Sequence, residues 1–213
     1  RARISAALEG APALIAAGAP SPRNYAANGW PFRATSHFLY LAGLHLDGLA
    51  DTADGLGSGR RGAEALAVMR RSDIGPFGVV TIVLVLLADV AALAPLTQAQ
   101  LWSVVPIAVA TGRCGAMLAC VSGVPAADTR GLGAAVAGTV PRIAALVTIA
   151  LIVVGASVLL HWQGAAMVLA GLAVAVLVVV RCVQRFGGIN GDVLGAVIAV
   201  TTLVALVTAA LTL

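Results

Sequence analysis

Long apolar runs dominate the chain from residue 74 onward, over residues 74–96, 101–124, 143–160, 164–180 and 194–213. A helix that crosses a bilayer needs about 20 mostly apolar residues. Five such segments in 213 residues leave little chain for a soluble core. Hydrophobic residues make up 60% and charged residues 10% of the sequence, and the mean hydropathy is +1.01, far from the roughly one-quarter charged composition of soluble domains. The expected fold class is therefore all-α, a polytopic integral membrane helix bundle with about five to six transmembrane helices, and residues 1–213 are read as one transmembrane domain. The sixth candidate is shorter, over residues 37–49. Residues 1–35 include the polar, proline-punctuated run APSPRNYAANGWP, which receives no fold assignment. The chain opens on Arg1 with no signal-peptide pattern behind it, which reads as a trimmed N-terminus.

All thirteen basic residues are arginine, against nine acids. In a membrane protein this excess bears on orientation rather than on nucleic acid, so nucleic-acid binding is set aside. The connections at 97–100 and 161–163 are short and contain no arginine. Those at 50–73, 125–142 and 181–193 hold Arg60, Arg61, Arg70, Arg71, Arg130, Arg142, Arg181 and Arg185. Counting spans puts all three arginine-bearing connections on one side, expected to be the cytoplasm. Cys114, Cys120 and Cys182 are odd in number and lie in or beside apolar runs, which argues for buried thiols and against a disulfide framework. Gly155, Gly164 and Gly171 are expected to let helices approach closely.

The acidic stretch within residues 44–80 carries the chemistry. Asp47, Asp51 and Asp54 are spaced i, i+4, i+7, within about 60° of arc on one helix face at about 100° per residue. Three like charges there repel, and beside apolar segments they call for a hard cation; carboxylate oxygens with waters and substrate phosphate suit Mg²⁺. The bland alternative is a solvated acidic loop. His45 would point about 160° away from Asp47 on a continuous helix, and would reach the acidic face as a proton acceptor if Gly48 broke that helix. Asp73 is the natural fourth carboxylate. Arg70 and Arg71 are candidate phosphate donors, with membrane-boundary anchoring as the competing role. In the stretch 186–196, Gly188 and Gly191 would let backbone N–H groups near an anion, and Asp192 adds a carboxylate at the start of the last helix. Within the spans, Asp89 and Arg113 would either pair with each other or face a polar cavity.

The run LHLDGLADTADGLGS over residues 44–58, with RRSDIGPFGVV over 70–80 and GGINGDVLGA over 187–196, resembles the cobalamin synthase family, adenosylcobinamide-GDP ribazoletransferases. The resemblance implies a Mg²⁺-dependent enzyme of a bacterial or archaeal inner membrane, at the last step of coenzyme B12 assembly. It would join adenosylcobinamide-GDP to α-ribazole, or its 5′-phosphate, with release of GMP. It also implies that Asp47, Asp51, Asp54 and Asp73 hold metal or diphosphate, with Asp192 as a second-loop acid. Three departures stand out: Ala199 occupies the place of a family glutamate, Asp128 stands where an arginine is frequent, and no good apolar span precedes His45. A CDP-alcohol phosphotransferase or prenyltransferase is a competing enzyme class, although Leu56-Gly57-Ser58-Gly59 after Asp54-Gly55 does not follow the former's motif. An ion-coupled transporter would want its acids at mid-span, where only Asp89 lies. Membrane lipid is an expected partner, and the sequence leaves a homo-oligomer open.

Overall fold

A computed structural model of the chain describes residues 36–212, with side-chain surroundings from Gly43 onward. The chain divides into two units, Arg1–Leu44 and His45–Leu213. The first is described only from Ser36, and the expectation for residues 1–35 lies outside the described residues.

Among the described residues seven helices follow one another: α1 Ser36–Gly57, α2 Ala63–Met69, α3 Pro76–Gln98, α4 Val104–Ala119, α5 Leu132–Val136, α6 Arg142–Phe186 and α7 Gly191–Leu211. Among the described residues there is no strand, only isolated bridges between Val121 and Val140 and between Ala126 and Ile189. The protein is thus an all-helical membrane bundle. Helices α3, α6 and α7 are long and apolar enough to cross a membrane, and α4 is a shorter apolar helix. Helix α6 is two arms. Leu160 and His161 leave helical geometry, His161 with φ 53°. A Cβ on Gly164 would strike the backbone of Ala156 and Ser157, so the chain doubles back there. The short turn expected at 161–163 is this hairpin.

Helix α4 is wedged between α6 and α7. A Cβ on Gly115 would come within 2.8 Å of Thr201 Oγ1 and 3.2 Å of Ala175, and one on Gly171 within 3.0 Å of Thr111 and of the Thr201 carbonyl. Small residues thus let three backbones meet, as packing between membrane helices requires. Gly155 does not serve in this way, because its Cβ would face open space. Met167, Val168, Leu172, Ala108, Cys114 and Ala205 fill one core. At the arginine-bearing end a second core joins α2 to the ends of α6 and α7 through Leu66, Met69, Cys182, Phe186, Ile189 and Val193. All three cysteines are buried free thiols.

Several boundaries differ from the hydropathy reading. Helix α1 runs on to Gly57 and α6 to Phe186, so Asp51, Asp54, Arg181 and Arg185 are helical rather than in loops. Apolar windows end at the first charges, but backbone hydrogen bonding continues until a capping residue, such as Gly187 in the left-handed region with φ 85°. Helix α4, in contrast, stops at Ala119, short of the expected residue 124. Beyond it Ser122 N–H donates to the Val140 carbonyl at 2.9 Å and Val140 N–H to that of Cys120 at 3.0 Å, so residues 120–140, which include α5, form a connection braced at its two ends. Asp89 and Arg113 do not pair: among the described residues Asp89 Oδ1 is buried without a partner, and Arg113 lies against His45.

Candidate active site

The three arginine-bearing connections touch one another. Gly62 N–H donates to the Arg185 carbonyl at 2.8 Å, joining the turn after α1 to the end of α6. Ala127 N–H donates to the Ile189 carbonyl at 2.8 Å and Ile189 N–H to that of Pro125 at 2.9 Å, joining the loop after α4 to the turn before α7. Gly133 is pressed so close that a Cβ would lie 2.5 Å from the Asn190 Cα, and Gly188 packs equally tightly on Pro125–Ala127. Arg70, after α2, pairs with Asp128. One end of the bundle is therefore a set of interlocked loops, as the arginine count implies.

Into this end α1 brings its acidic face. The helix is unbroken across Gly48, and a Cβ there would stand 2.7 Å from the Asp192 carbonyl oxygen and 2.8 Å from its Cα. Only glycine lets α1 lie backbone to backbone on the start of α7. That contact sets Asp47 and Asp51 beside Asp192, two carboxylates from one helix and one from another.

The electrostatic result is read at Asp51, outside the apolar spans. Burial, then the charges of Asp192, Asp47 and Asp54, push its carboxyl from 3.8 up to about 7. Asn190 sets Asp192 in place: its Oδ1 accepts from Val193 N–H at 2.9 Å, capping α7, while its Nδ2 donates to Asp192 Oδ2 at 3.0 Å. The sequence reading passed over Asn190, although an asparagine at the opening of an apolar helix is a capping signal.

Asp54, one turn further along α1, has different work. It is 7% exposed, and both its oxygens are taken, Oδ2 by Gly75 N–H at 2.7 Å and Oδ1 by Gly78 N–H at 2.9 Å. A carboxylate so placed caps α3 from another helix and meets the positive end of its dipole. Asp73 faces Arg71 in a two-pronged, exposed pair at 3.0 and 3.1 Å. With Asp54, Arg60 and Arg71 it lines a cleft of about 280 Å³. From Gly48 at Asp192 to Asp54 at Gly75 is six residues, about 9 Å along the helix. Asp192 and Asp73 thus mark opposite ends of the acidic face.

The remaining sequence candidates fall as follows. Arg70 and Arg71 each engage a carboxylate. Gly188 is packed against the loop after α4, and Gly191 opens α7 facing Leu132. Arg70, Asp128, Thr129, Arg130 and Gly131 line an open cleft of about 500 Å³. His45 meets Arg113, Nε2 to Nη1 at 3.3 Å; guanidinium has no acceptor, so Arg113 donates and a neutral ring keeps its proton on Nδ1. With α1 unbroken at Gly48, His45 does not turn toward Asp47. Among the described residues no three His, Cys, Asp or Glu side chains converge closely enough to enclose a metal ion. The donors at Asp47, Asp51 and Asp192 are nevertheless all hard oxygens, and Mg²⁺ takes one or two carboxylates, completing its shell with water and substrate phosphate. The donor chemistry fits that ion as an open site.

The cobalamin-5-phosphate synthase family profile matches residues 6–210. Adenosylcobinamide-GDP ribazoletransferase of Frankia casuarinae is 42% identical over 189 residues, 82% of this chain and 68% of that protein. The protein of the same name from Nocardioides sp. is 43% identical, covering 73% of this chain and 60% of its own length, and that of Stutzerimonas stutzeri 40%, covering 73% and 63%. The chain spans about two thirds or less of these relatives' lengths. No solved structure matches it significantly. The chain belongs to the cobalamin-5-phosphate synthase family, a family of transferases.

Proposed function

We propose that this chain transfers the adenosylcobinamide phosphoryl group of adenosylcobinamide-GDP to a ribose hydroxyl of α-ribazole, or of its 5′-phosphate, and releases GMP. The names of its relatives supply the substrates. The observation that carries the reading to this chain is the junction of α1 and α7 at Gly48, which gathers Asp47, Asp51 and Asp192 at one end of the bundle. Burial and the neighbouring carboxylates raise the proton affinity of Asp51; a cation among them would relieve that repulsion, and a diphosphate substrate needs the same cation.

In this reading Asp47, Asp51 and Asp192 hold Mg²⁺, which when bound neutralises charge on the diphosphate and the leaving GMP. The new bond joins the ribose oxygen to the phosphorus carrying cobinamide; the bond that breaks joins that phosphorus to the oxygen of GMP. The hydroxyl proton must leave as the new bond forms and passes to water, since Asp51 as a Mg²⁺ ligand stays ionised. Asn190 keeps Asp192 oriented, while Asp54 anchors α3 so that Arg70, Arg71 and Asp73 stay at the rim. Arg130, in the cleft beside Asp128, is the guanidinium there without a carboxylate partner among the described residues, and it suits a phosphate. The arginine-bearing end faces the cytoplasm of a bacterial inner membrane, the side where nucleotide substrates reside.

The test incubates purified chain with adenosylcobinamide-GDP, α-ribazole and Mg²⁺ and follows cobalamin and GMP by chromatography. Equimolar products are expected. Their absence from folded protein rejects the reading.

A further inference from the structure

A third cleft, of about 600 Å³, opens where the end of α1 and the turn after it meet the second arm of α6. Among the described residues it is lined by Leu56, Arg61, Leu177, Val178, Arg181, Gln184 and Arg185, with no carboxylate. None of the three arginines forms an ion pair among the described residues. Arg185 is fixed, donating to the Leu56 carbonyl at 3.3 Å, whereas Arg181 is exposed. Three guanidinium groups at the rim of one cleft repel unless an anion lies between them. Residues 1–35 are a poor source of that anion, since they carry four arginines and one acid.

The walls name the anion's other half. Leu177 is 63% exposed, and Val176, Val180 and Leu169 on the same arm are exposed as well, on a helix apolar enough to cross a membrane. A free phosphate would use the arginines and leave this face bare. A molecule with a phosphate head and hydrocarbon tails would use both. We infer that the Arg61–Arg181–Arg185 cleft is a binding site for an anionic phospholipid, its headgroup phosphate among the arginines and its acyl chains along Leu177 and Val178. Because Arg185 also holds the last turn of α1 and, through its carbonyl, Gly62, the bound lipid would brace the helix that carries the acidic face.

Native mass spectrometry of the full chain in non-ionic detergent tests this, with phosphatidylglycerol and phosphatidylcholine of identical acyl chains titrated separately. Phosphatidylglycerol is expected to bind preferentially. The double substitution Arg61→Gln/Arg181→Gln should weaken it by about twenty-fivefold, from about fivefold for each arginine beside an anionic lipid, without changing phosphatidylcholine adducts. Arg60→Gln removes the same charge from a residue outside the cleft and should leave the preference intact. Should the double variant fail to fold, Arg181→Gln alone should show the fivefold loss. Equal binding of the two lipids, or retained preference in the variants, overturns the inference. Displacement of phosphatidylglycerol by 1 mM pyrophosphate overturns it too, since it would mark a free-phosphate site. Cobalamin formation measured alongside distinguishes this failure from that of the proposed activity, because a chain without the lipid site still carries Asp47, Asp51 and Asp192.

Discussion

Replacing Asp51 with asparagine should stabilise the protein when no divalent cation is present, an unusual result for a residue at the centre of a site. In the folded chain its proton leaves at about 7 rather than 3.8. Between those values the folded state binds more protons than the unfolded one, so stability is lost as pH rises through the window. Once Asp51 is fully ionised the loss reaches a ceiling of about 4 kcal/mol, at about 1.36 kcal/mol per pH unit. Asp51 is only half-buried, so solvent screening cuts this to about 2 kcal/mol. Asp51→Asn cannot ionise and escapes the loss. For a chain of this size about 2 kcal/mol corresponds to a rise of about 4–8 °C in Tm. The assay is thermal unfolding in detergent with EDTA, followed by tryptophan fluorescence. At pH 8 the variant should melt higher than wild type; at pH 5 the gap should shrink to under about 1 kcal/mol. Mg²⁺ should then raise the wild-type Tm more than the variant's. A variant that melts lower than wild type at pH 8 in EDTA would refute the like-charge cluster.

Asp54→Asn should act in the opposite sense, because one oxygen accepting from Gly75 or Gly78 N–H becomes a donor facing a donor. A loss of about 2–4 kcal/mol should lower Tm by about 4–16 °C, and a fall under about 2 °C would remove Asp54 as the anchor of α3. Gly48→Ala puts a methyl 2.7 Å from the Asp192 carbonyl; with backbone on both sides α1 must shift, and turnover should drop at least about tenfold, so an unchanged kcat would deny the α1–α7 junction its role. Asp73→Asn breaks an exposed pair with Arg71 and should alter stability by less than about 1 kcal/mol, with a smaller loss of turnover than Asp192→Asn; the reverse order would move the metal ligands to the mouth of α3.

Hydropathy made the bundle legible because lipid-facing helices must be apolar along their whole length, and the polar break at His161 marked the hairpin in α6. The i, i+4, i+7 spacing of Asp47, Asp51 and Asp54 made the acidic face legible, since local periodicity suffices for it. Which of those acids faces which partner was not legible. Asp54 and Asp51 look alike in sequence, yet one meets the start of α3, more than 20 residues away, and the other the start of α7. The same holds for Arg113, whose neighbour is His45 rather than Asp89. Gly48 reads as an ordinary helix glycine until Asp192 is seen behind it. Helix ends failed for a local reason: charge ends an apolar window but not a helix.

Direct binding of Mn²⁺, used in place of Mg²⁺ and followed by loss of its free-ion EPR signal, measures whether the acids of α1 and α7 hold a divalent ion together. Wild-type chain with GDP present should bind it, Asp51→Asn and Asp192→Asn should each weaken binding at least about tenfold, and Asp73→Asn should change it little. Equal affinity in wild type, Asp51→Asn and Asp192→Asn would contradict the account.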